Sequence, residues 1–554
     1  MRHALLLTRL TAAKTTRSPR LLLVTHAAWR PQQHLKMSST TASGRTYEDA
    51  IDALNTFQTP FAVIEARRKA GIRPDEASVR EMKAYWARLG HSPDDLDRLN
   101  VVHVAGTKGK GSVCAFVASI LGRYRRRRSG SDIDTGTGTG QGEKLRVGLL
   151  TSPHLVAVRE RIRVGPSPLS EAAFARYFFE VSDALTGGPA LHPHDAEPGS
   201  RPIYARFLTL MALHVFLREG VDAAVLETGV GGEYDATNIV PHPLATGIST
   251  LGIDHVFVLG DTVDKIAWHK AGIIRPGAAT ANFAVEQPAF PSAEAVLRRR
   301  AADKGADLRI LGVDPRLAAC GVRVRPDAAF QRRNASLAIA LAEAALRKVV
   351  GPEGGFTRDE GSLPAEFREG IEQVVWRGRC EVKEEEGGRL RWHIDGAHTT
   401  DSLRMAASWF AGANEGRPGP RVLIFNQQGR TEAVDFLDGL HSGARREDGS
   451  SFDHVVFCTN VTHAATGYKR DFVNHQYDPE AIQKLTVQRT FADKWATLDP
   501  KAKITVIPSI EEALNVARDL TGSLNEGEAV QAFITGSLHL VGGALGILEG
   551  ADAL

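Results

Sequence analysis

The sequence predicts an α/β protein: a P-loop-type, parallel-sheet domain followed by a second, smaller α/β domain. Three observations carry this expectation. The apolar run Val101-Val102-His103-Val104-Ala105 leads straight into Gly106-Thr107-Lys108-Gly109-Lys110-Gly111-Ser112, and helix-spaced Val113, Phe116, Val117, Ile120 and Leu121 follow. Short apolar runs then alternate with helical patterns along the chain, which is how a parallel sheet covered by helices on both faces reads in sequence. A stretch rich in Gly, Pro and charge, Gly351–Glu369, interrupts that alternation. It divides the chain into 48–350, a linker at 351–375 and 376–554.

The chain begins with a segment unlike the rest. Residues 1–47 hold eight Lys or Arg and no acid, and Glu48 is the first carboxylate of a 554-residue chain whose net charge is +3. Beyond that segment 60 basic side chains face 65 acidic ones, about −5, so the body does not have the charge of a nucleic-acid binder. An Arg-, Ser- and Thr-rich, acid-free segment with leucines at Leu5–Leu7 and Leu21–Leu23 reads as a mitochondrial presequence. Synthesis from Met1 would then deliver the protein to the mitochondrial matrix, and initiation at Met37 would leave a cytoplasmic form. No run approaches 18 apolar residues, so no integral membrane segment is expected. Cys114, Cys320, Cys380 and Cys458 stand far apart with no CxxC pair, which indicates neither a disulfide framework nor a zinc knuckle and fits a reducing compartment.

The glycine-rich turn is the strongest chemical signal. Its glycines let backbone N–H groups close on phosphate oxygens, and the helix behind it adds the positive end of its dipole. Lys110 can reach the outer phosphates and Ser112 can offer a hydroxyl to phosphate or Mg²⁺. A plain β–α turn would not need two lysines among three glycines. The loop is shorter than the common P-loop, and Gly111 separates Lys110 from the hydroxyl. That departure argues against a generic ATPase or GTPase and towards a ligase.

Behind the P-loop helix, Arg125–Arg128 read as a solvated helix end, where cations oppose the negative dipole end. Ser129–Glu143, full of Gly, Thr and Ser, reads as a surface insertion. Leu145–Leu150, Val221–Leu226 and Ala245–Thr250 read as strands; Glu171–Leu185, Arg206–Arg218 and Asn334–Val349 as helices. Three strands end in polar residues, and ligands of open α/β sheets gather beyond such ends. After the first, Ser152 is a candidate Mg²⁺ ligand, with His154, Arg159 and Arg161 beside it for an anionic substrate. After the second, Glu227 is a strand-terminal carboxylate of the kind that holds Mg²⁺. After the third come Asp254 and His255, whose imidazole is a candidate metal ligand. Lys270, among apolar neighbours, is a candidate for a depressed pKa.

In the second block the strand candidates are Arg391–Ile394, Val422–Phe425, His454–Cys458, Ile504–Ile507 and Gln531–Thr535, with helices at Asp401–Phe410 and Ile510–Leu520. No second phosphate loop occurs, so this block supplies contacts rather than binding nucleotide alone. Arg379 could stabilise charge on a transferred phosphoryl group. Asp395, at a strand end, could hold an arginine, a ribose or an incoming amine.

Taken together, Gly106–Ser112, Ser152–Leu155 with Arg159–Ile162, Leu226–Asn238, Gly252–Thr262 with Ile266–Ile273, Gly378–Arg379, Ile394–His398 and Thr535–Gly543 run in the order of a known group. The chain resembles the folylpolyglutamate synthases, of the Mur-ligase-like ATP-dependent amide ligases. The resemblance covers most of residues 48–546. It implies an ATPase domain joined to a smaller Rossmann-like domain, with catalysis in the cleft between them. It implies that Gly109, Lys110, Gly111 and Ser112 hold ATP, with Arg379 and Asp395 contacting it from the second domain. It implies that Ser152, Glu227 and His255 ligate Mg²⁺, and Lys270 matches a lysine carbamylated in some relatives. Lys110, Glu227, His255 and Lys270 form the implied catalytic set; His154, Arg159, Arg161 and His398 are the substrate candidates, with Ser152–Ile162 as the folate pocket.

The implied reaction joins L-glutamate to the γ-carboxylate of a reduced folate through an acyl phosphate, with ATP and Mg²⁺ as cofactors and a monovalent cation (K⁺) as a further candidate. A monomer acting on small molecules is expected. Dihydrofolate synthase, adding the first glutamate to dihydropteroate, is the nearest alternative. A cell-wall Mur ligase and a non-catalytic ATP-binding protein are more distant ones.

Overall fold

The computed structural model describes residues 45–126, 143–186, 201–351, 361–428 and 431–554. The presequence at 1–44 and nearly all of the Ser129–Glu143 insertion lie outside the described residues. Among the described residues the strands form two sheets, and Arg45–Leu554 make one compact unit. The first sheet contains β1 (Val101–Ala105), β2 (Val147–Leu150), β3 (Ile162–Val164), β4 (Ser167–Pro168), β5 (Ala223–Glu227), β6 (Ala245–Ile248), β7 (Ala281–Val285) and β8 (Leu308–Leu311). Their order is β4-β3-β2-β5-β1-β6-β7-β8, parallel except where β3 pairs with β2 and β4. The second sheet has β9 (Glu381–Glu384), β10 (Leu390–Ile394), β11 (Arg421–Phe425), β12 (His454–Phe457), β13 (Lys503–Val506) and β14 (Val530–Thr535), in the order β13-β12-β11-β14-β10-β9. Only β9 runs antiparallel to its neighbour there.

Each sheet is apolar on both faces because each is covered on both. Successive residues of β5 alternate between two cores: Ala224 and Leu226 join one with the helices Glu171–Thr186 and Tyr204–Arg218, while Ala223 and Val225 join another with Lys110–Leu121 and Ala329–Val349. That period of two is the strand's own geometry. In the second sheet Val422 and Ile424 face one core, and Leu423 and Phe425 the other. The first lobe also begins with helices that the sequence reading did not single out, Tyr47–Asn55 and Glu76–Arg88. The first is fixed at its start by a capping box between Thr46 and Asp49.

Two expectations need correction. Arg125 and Arg126 are not a helix end. The helix stops at Leu121, and buried Tyr124 and Leu145 draw the chain back across the sheet, so Arg125 bridges Lys144 and Arg126 pairs with Asp222. Nor is 351–375 simply a linker. Residues 352–360 lie outside the described residues, but Ala365–Glu372 is a helix whose Phe367 and Ile371 are buried in the first lobe's core. The Gly and charge content masked that amphipathic spacing.

The lobes are also strapped together beyond the linker. The chain between β12 and the helix Thr486–Leu498 crosses to the first lobe. There the Tyr47 hydroxyl donates to Asp471 Oδ1 (2.7 Å), Asn55 Nδ2 to the Arg470 carbonyl (3.0 Å) and Gln58 Nε2 to the Val473 carbonyl (2.8 Å). Arg470 pairs with Asp52 at 2.7 Å.

Candidate active site

The carboxyl ends of β1, β2, β5 and β6 open into one cleft of about 2900 Å³, and the ends of β10, β11 and β14 form its opposite wall. The loop after β1 is its floor. Gly109 sits at φ +86° as the N-cap of the helix Lys110–Leu121, a left-handed conformation that an L side chain adopts only at a cost. A Cβ there would lie 2.3 Å from Asn334 Oδ1. Asn334 is oriented by its own donation to Gln331 Oε1 (2.8 Å), and Gln331 in turn donates to the Arg325 carbonyl (3.0 Å). Gly106 is held equally tightly, since a Cβ there would lie 1.8 Å from Ser249 Oγ. The N–H groups of Thr107 and Lys108 both donate to the Thr250 carbonyl at 3.0 Å, tying the loop to the exit of β6. The first N–H groups of the following helix have no partner within it and point at the cleft, the arrangement that receives phosphate.

Glu227 ends β5 in this floor, 6 % exposed. Its Oε2 accepts the Ser152 N–H (3.0 Å) and its Oε1 stands 3.9 Å from Lys110 Nζ. Burial pushes the carboxyl pKa up, and Lys110 opposes that shift. Lys270 is buried one layer below and donates from Nζ to the Gly106 carbonyl at 2.6 Å. Burial, then the nearby Lys110 charge, brings its pKa down to about 7.

From β6, His255 takes a left-handed backbone (φ +49°) with its N–H on Asp254 Oδ1 (2.8 Å). Asp254 Oδ2 lies 3.8 Å from His255 Nε2 and 3.8 Å from His398 Nε2 of the opposite wall. Asp254 is thus a shared, buried carboxylate between the lobes. The sequence reading weighed only its histidine neighbour. Arg379 lines the cleft, with Nη1 on the Gly378 carbonyl (3.1 Å). Asp395 lines it too, but its oxygens accept the N–H groups of Cys380 and Ala397, both at 2.8 Å, so it shapes the wall. A further bond joins the lobes where Lys108 Nζ meets Asp401 Oδ2 at 3.0 Å.

Gly109, Lys110, Gly111, Ser112, Ser152, Arg161, Glu227, His255, Arg379, Asp395 and His398 therefore share one cleft. Three candidates do not face it. Lys270 lies beneath the floor. His154 is buried, with both ring nitrogens engaged, and Arg159 Nη1 is turned to the Leu169 carbonyl (3.0 Å). The 3₁₀ turn Val158–Arg161 explains the last, because it sends Arg159 and Arg161 to different sides. Asn334 and Gln331 were missed, being two amides within an ordinary amphipathic helix.

For a divalent cation, no group of three or more His, Cys, Asp or Glu gathers among the described residues. The Glu227 carboxylate, the Ser112 and Ser152 hydroxyls and the His255 imidazole all line the same cleft. That set suits Mg²⁺, a hard ion held by one or two carboxylates together with water and substrate phosphates. A buried carboxylate whose pKa is pushed up is also one that a cation would keep ionised.

No family model matches the chain. It is 60% identical over 541 residues to the folylpolyglutamate synthase of Neurospora crassa, covering 97% of each chain. It is 41% identical over 515 residues to the folylpolyglutamate synthase of Saccharomyces cerevisiae, covering 92% of this chain and 88% of that one. Among solved structures, the folylpolyglutamate synthase of Mycobacterium tuberculosis complexed with ADP and AMPPCP has the same fold, with a TM-score of 0.61 at 22% identity over 89% of this chain and 99% of that chain.

Proposed function

The chain belongs to the folylpolyglutamate synthases, and from that membership we propose how its cleft carries out the ATP-dependent addition of L-glutamate to folates. A carboxylate is a poor electrophile, so the γ-carboxylate of the acceptor's terminal glutamate first attacks the γ-phosphorus of ATP. ADP leaves and an acyl phosphate forms. The glutamate amine then adds to the acyl carbon, and phosphate departs with one oxygen of the original carboxylate.

The observation that carries this reading is the meeting of Lys110 and Glu227, 3.9 Å apart, on the floor of a cleft whose other wall presents Arg379. Lys110 and the helix N-terminus hold the outer phosphates, and Arg379 meets charge developing on the transferred group from the opposite side. Ser152, Glu227 and His255 are our proposed holders of Mg²⁺, which when bound supplies neutralisation of the phosphoryl oxygens. Glu227 is itself aimed by the Ser152 N–H. Lys270 braces the loop by binding the Gly106 carbonyl. Positioning and preorganised charge account for catalysis, and no protein nucleophile is required. A monomer is our proposed working unit, which the mass of the purified protein in solution tests. The acid-free segment supports mitochondrial delivery from Met1 and a cytoplasmic product from Met37; tagging each product and following its location tests this.

The enzymatic reading is tested with purified protein, ATP, labelled glutamate and a panel of pteroates, titrating Mg²⁺ and K⁺ separately. Glutamate should be joined to tetrahydrofolate and its polyglutamates, with one ADP released per bond and none without Mg²⁺. Turnover confined to dihydropteroate would instead identify a dihydrofolate synthase.

A further inference from the structure

We infer that His154 is a positioning residue: it sets the Arg161 guanidinium in the cleft to grip the acceptor's carboxyl group, and it is itself held by the second lobe. The inference rests on the ligase reading above.

The hydrogen bonds fix the ring's state. Arg161 Nε–H is a permanent donor, and it meets His154 Nδ1 at 3.0 Å. Nδ1 must therefore carry the lone pair, so the ring's proton sits on Nε2 and is donated to the Asp471 carbonyl at 3.1 Å. Both nitrogens are used. The ring is 3 % exposed and lies against the rings of Phe472 and His539, at centroid distances of 6.0 and 5.9 Å. It has no means of touching substrate.

Arg161 is different. Its backbone carbonyl takes the Thr151 N–H (3.1 Å), which fixes its Cα at the end of β2. Its guanidinium lies 5.6 Å from the Tyr204 ring and faces the cleft, close enough for its charge to act on Glu227. With Nε committed to His154, two terminal nitrogens are left that meet no protein acceptor among the described residues. A pair of parallel N–H donors on a planar fork matches a carboxylate. The phosphates of ATP already have Lys110 and the helix N-terminus on the β1 loop. The β2 exit places Arg161 on a separate stretch of the same floor, where the acceptor needs a cation of its own.

The far end of the relay is the strap. Asp471 Oδ1 accepts the Val158 N–H and the Tyr47 hydroxyl, each at 2.7 Å, so its carbonyl is fixed on the first lobe only when the strap is docked. Strap, His154 and Arg161 thus couple the seating of the second lobe to the aim of a substrate-binding cation.

The test is steady-state kinetics on the full chain carrying Arg161→Ala, His154→Phe, both together, or His154→Asn. Phenylalanine keeps the ring packing but removes the acceptor, whereas asparagine can present Oδ1 where Nδ1 stood. His154→Phe should lower kcat/KM for tetrahydrofolate about tenfold to a hundredfold while KM for ATP stays put. On the Arg161→Ala background it should add less than about twofold, and His154→Asn should recover most of the loss. Equal losses on both backgrounds, or an asparagine variant as impaired as the phenylalanine one, would overturn the inference. If His154→Phe does not fold, Arg161→Lys, which keeps the charge but lacks the Nε–H, should show the same loss, and undiminished turnover there would also overturn it. A wild-type protein that fails to ligate at all would instead bring down the ligase reading.

Discussion

Lys110, Glu227 and Lys270 lie close together, yet each is handled differently by its surroundings. Lys110 lines the cleft, with its amine 3.9 Å from Glu227 Oε1. Replacing it with Ala should reduce glutamate-dependent ADP release about 10²–10³-fold, with an unchanged unfolding curve; retained turnover would refute the phosphate assignment. Glu227→Gln keeps the shape but removes the charge, so the Mg²⁺ activation curve should shift to much higher concentration, and an unmoved curve would exclude it as a ligand. Lys270 is the titration case. Burial brings its pKa from 10.5 down to about 7, so between those values the unfolded chain holds more protons than the folded one. Stability should rise with pH across that window, by at most about 1.4 kcal/mol per unit, and the full destabilisation should be present below pH 7. Lys270→Met should flatten that rise in pH-dependent denaturation; equal slopes would show that burial does not govern this amine. All three residues were legible in the sequence because a strand end or an apolar setting marks them. Asp254 was not, since nothing in one strand end announces a partner such as His398 on another lobe.

At the scale of the element, the phosphate loop is a glycine conformation backed by a side chain. Gly109→Ala meets two obstacles: the left-handed backbone, which costs about 1–2 kcal/mol for an L residue, and the Asn334 amide 2.3 Å from the new Cβ. KM for ATP should rise. Adding Asn334→Ala should restore it only in part, because the backbone cost persists; full restoration would mean that contact alone was limiting. Nine of the fourteen strands in the described sheets were readable from apolar runs, within a few residues of expectation; β3, β4, β7, β8 and β9 were not, and of these β3 and β4 are only three and two residues long while β8 and β9 are only partly buried. Helix Ala365–Glu372 was not, because the Gly- and charge-rich context of 351–375 hid Leu363, Phe367 and Ile371, which only the tertiary core selects.

At the scale of the whole molecule, two kinds of contact join the lobes and should weigh very differently. The Lys108–Asp401 pair is half-exposed, and Asp401→Asn should change stability by less than about 1 kcal/mol. Asp471 is buried and accepts two donors, so Asp471→Ala leaves both unpaired and should cost about 2–4 kcal/mol in denaturant unfolding. The reverse ranking would make the ion pair, not the strap, the principal tie. The strap could not be read from sequence: residues 459–485 carry no periodic apolar pattern, and their partners lie some 400 positions away in Tyr47–Gln58. All these elements serve a cleft that must activate a carboxyl group with ATP. That chemistry is followed most directly with a folate whose γ-carboxylate is labelled with ¹⁸O. One labelled oxygen should appear in the inorganic phosphate for each amide bond made at the labelled carboxylate, read over a single addition of glutamate. ADP and amide formed with unlabelled phosphate would contradict the acyl-phosphate route and the reading of the cleft built on it.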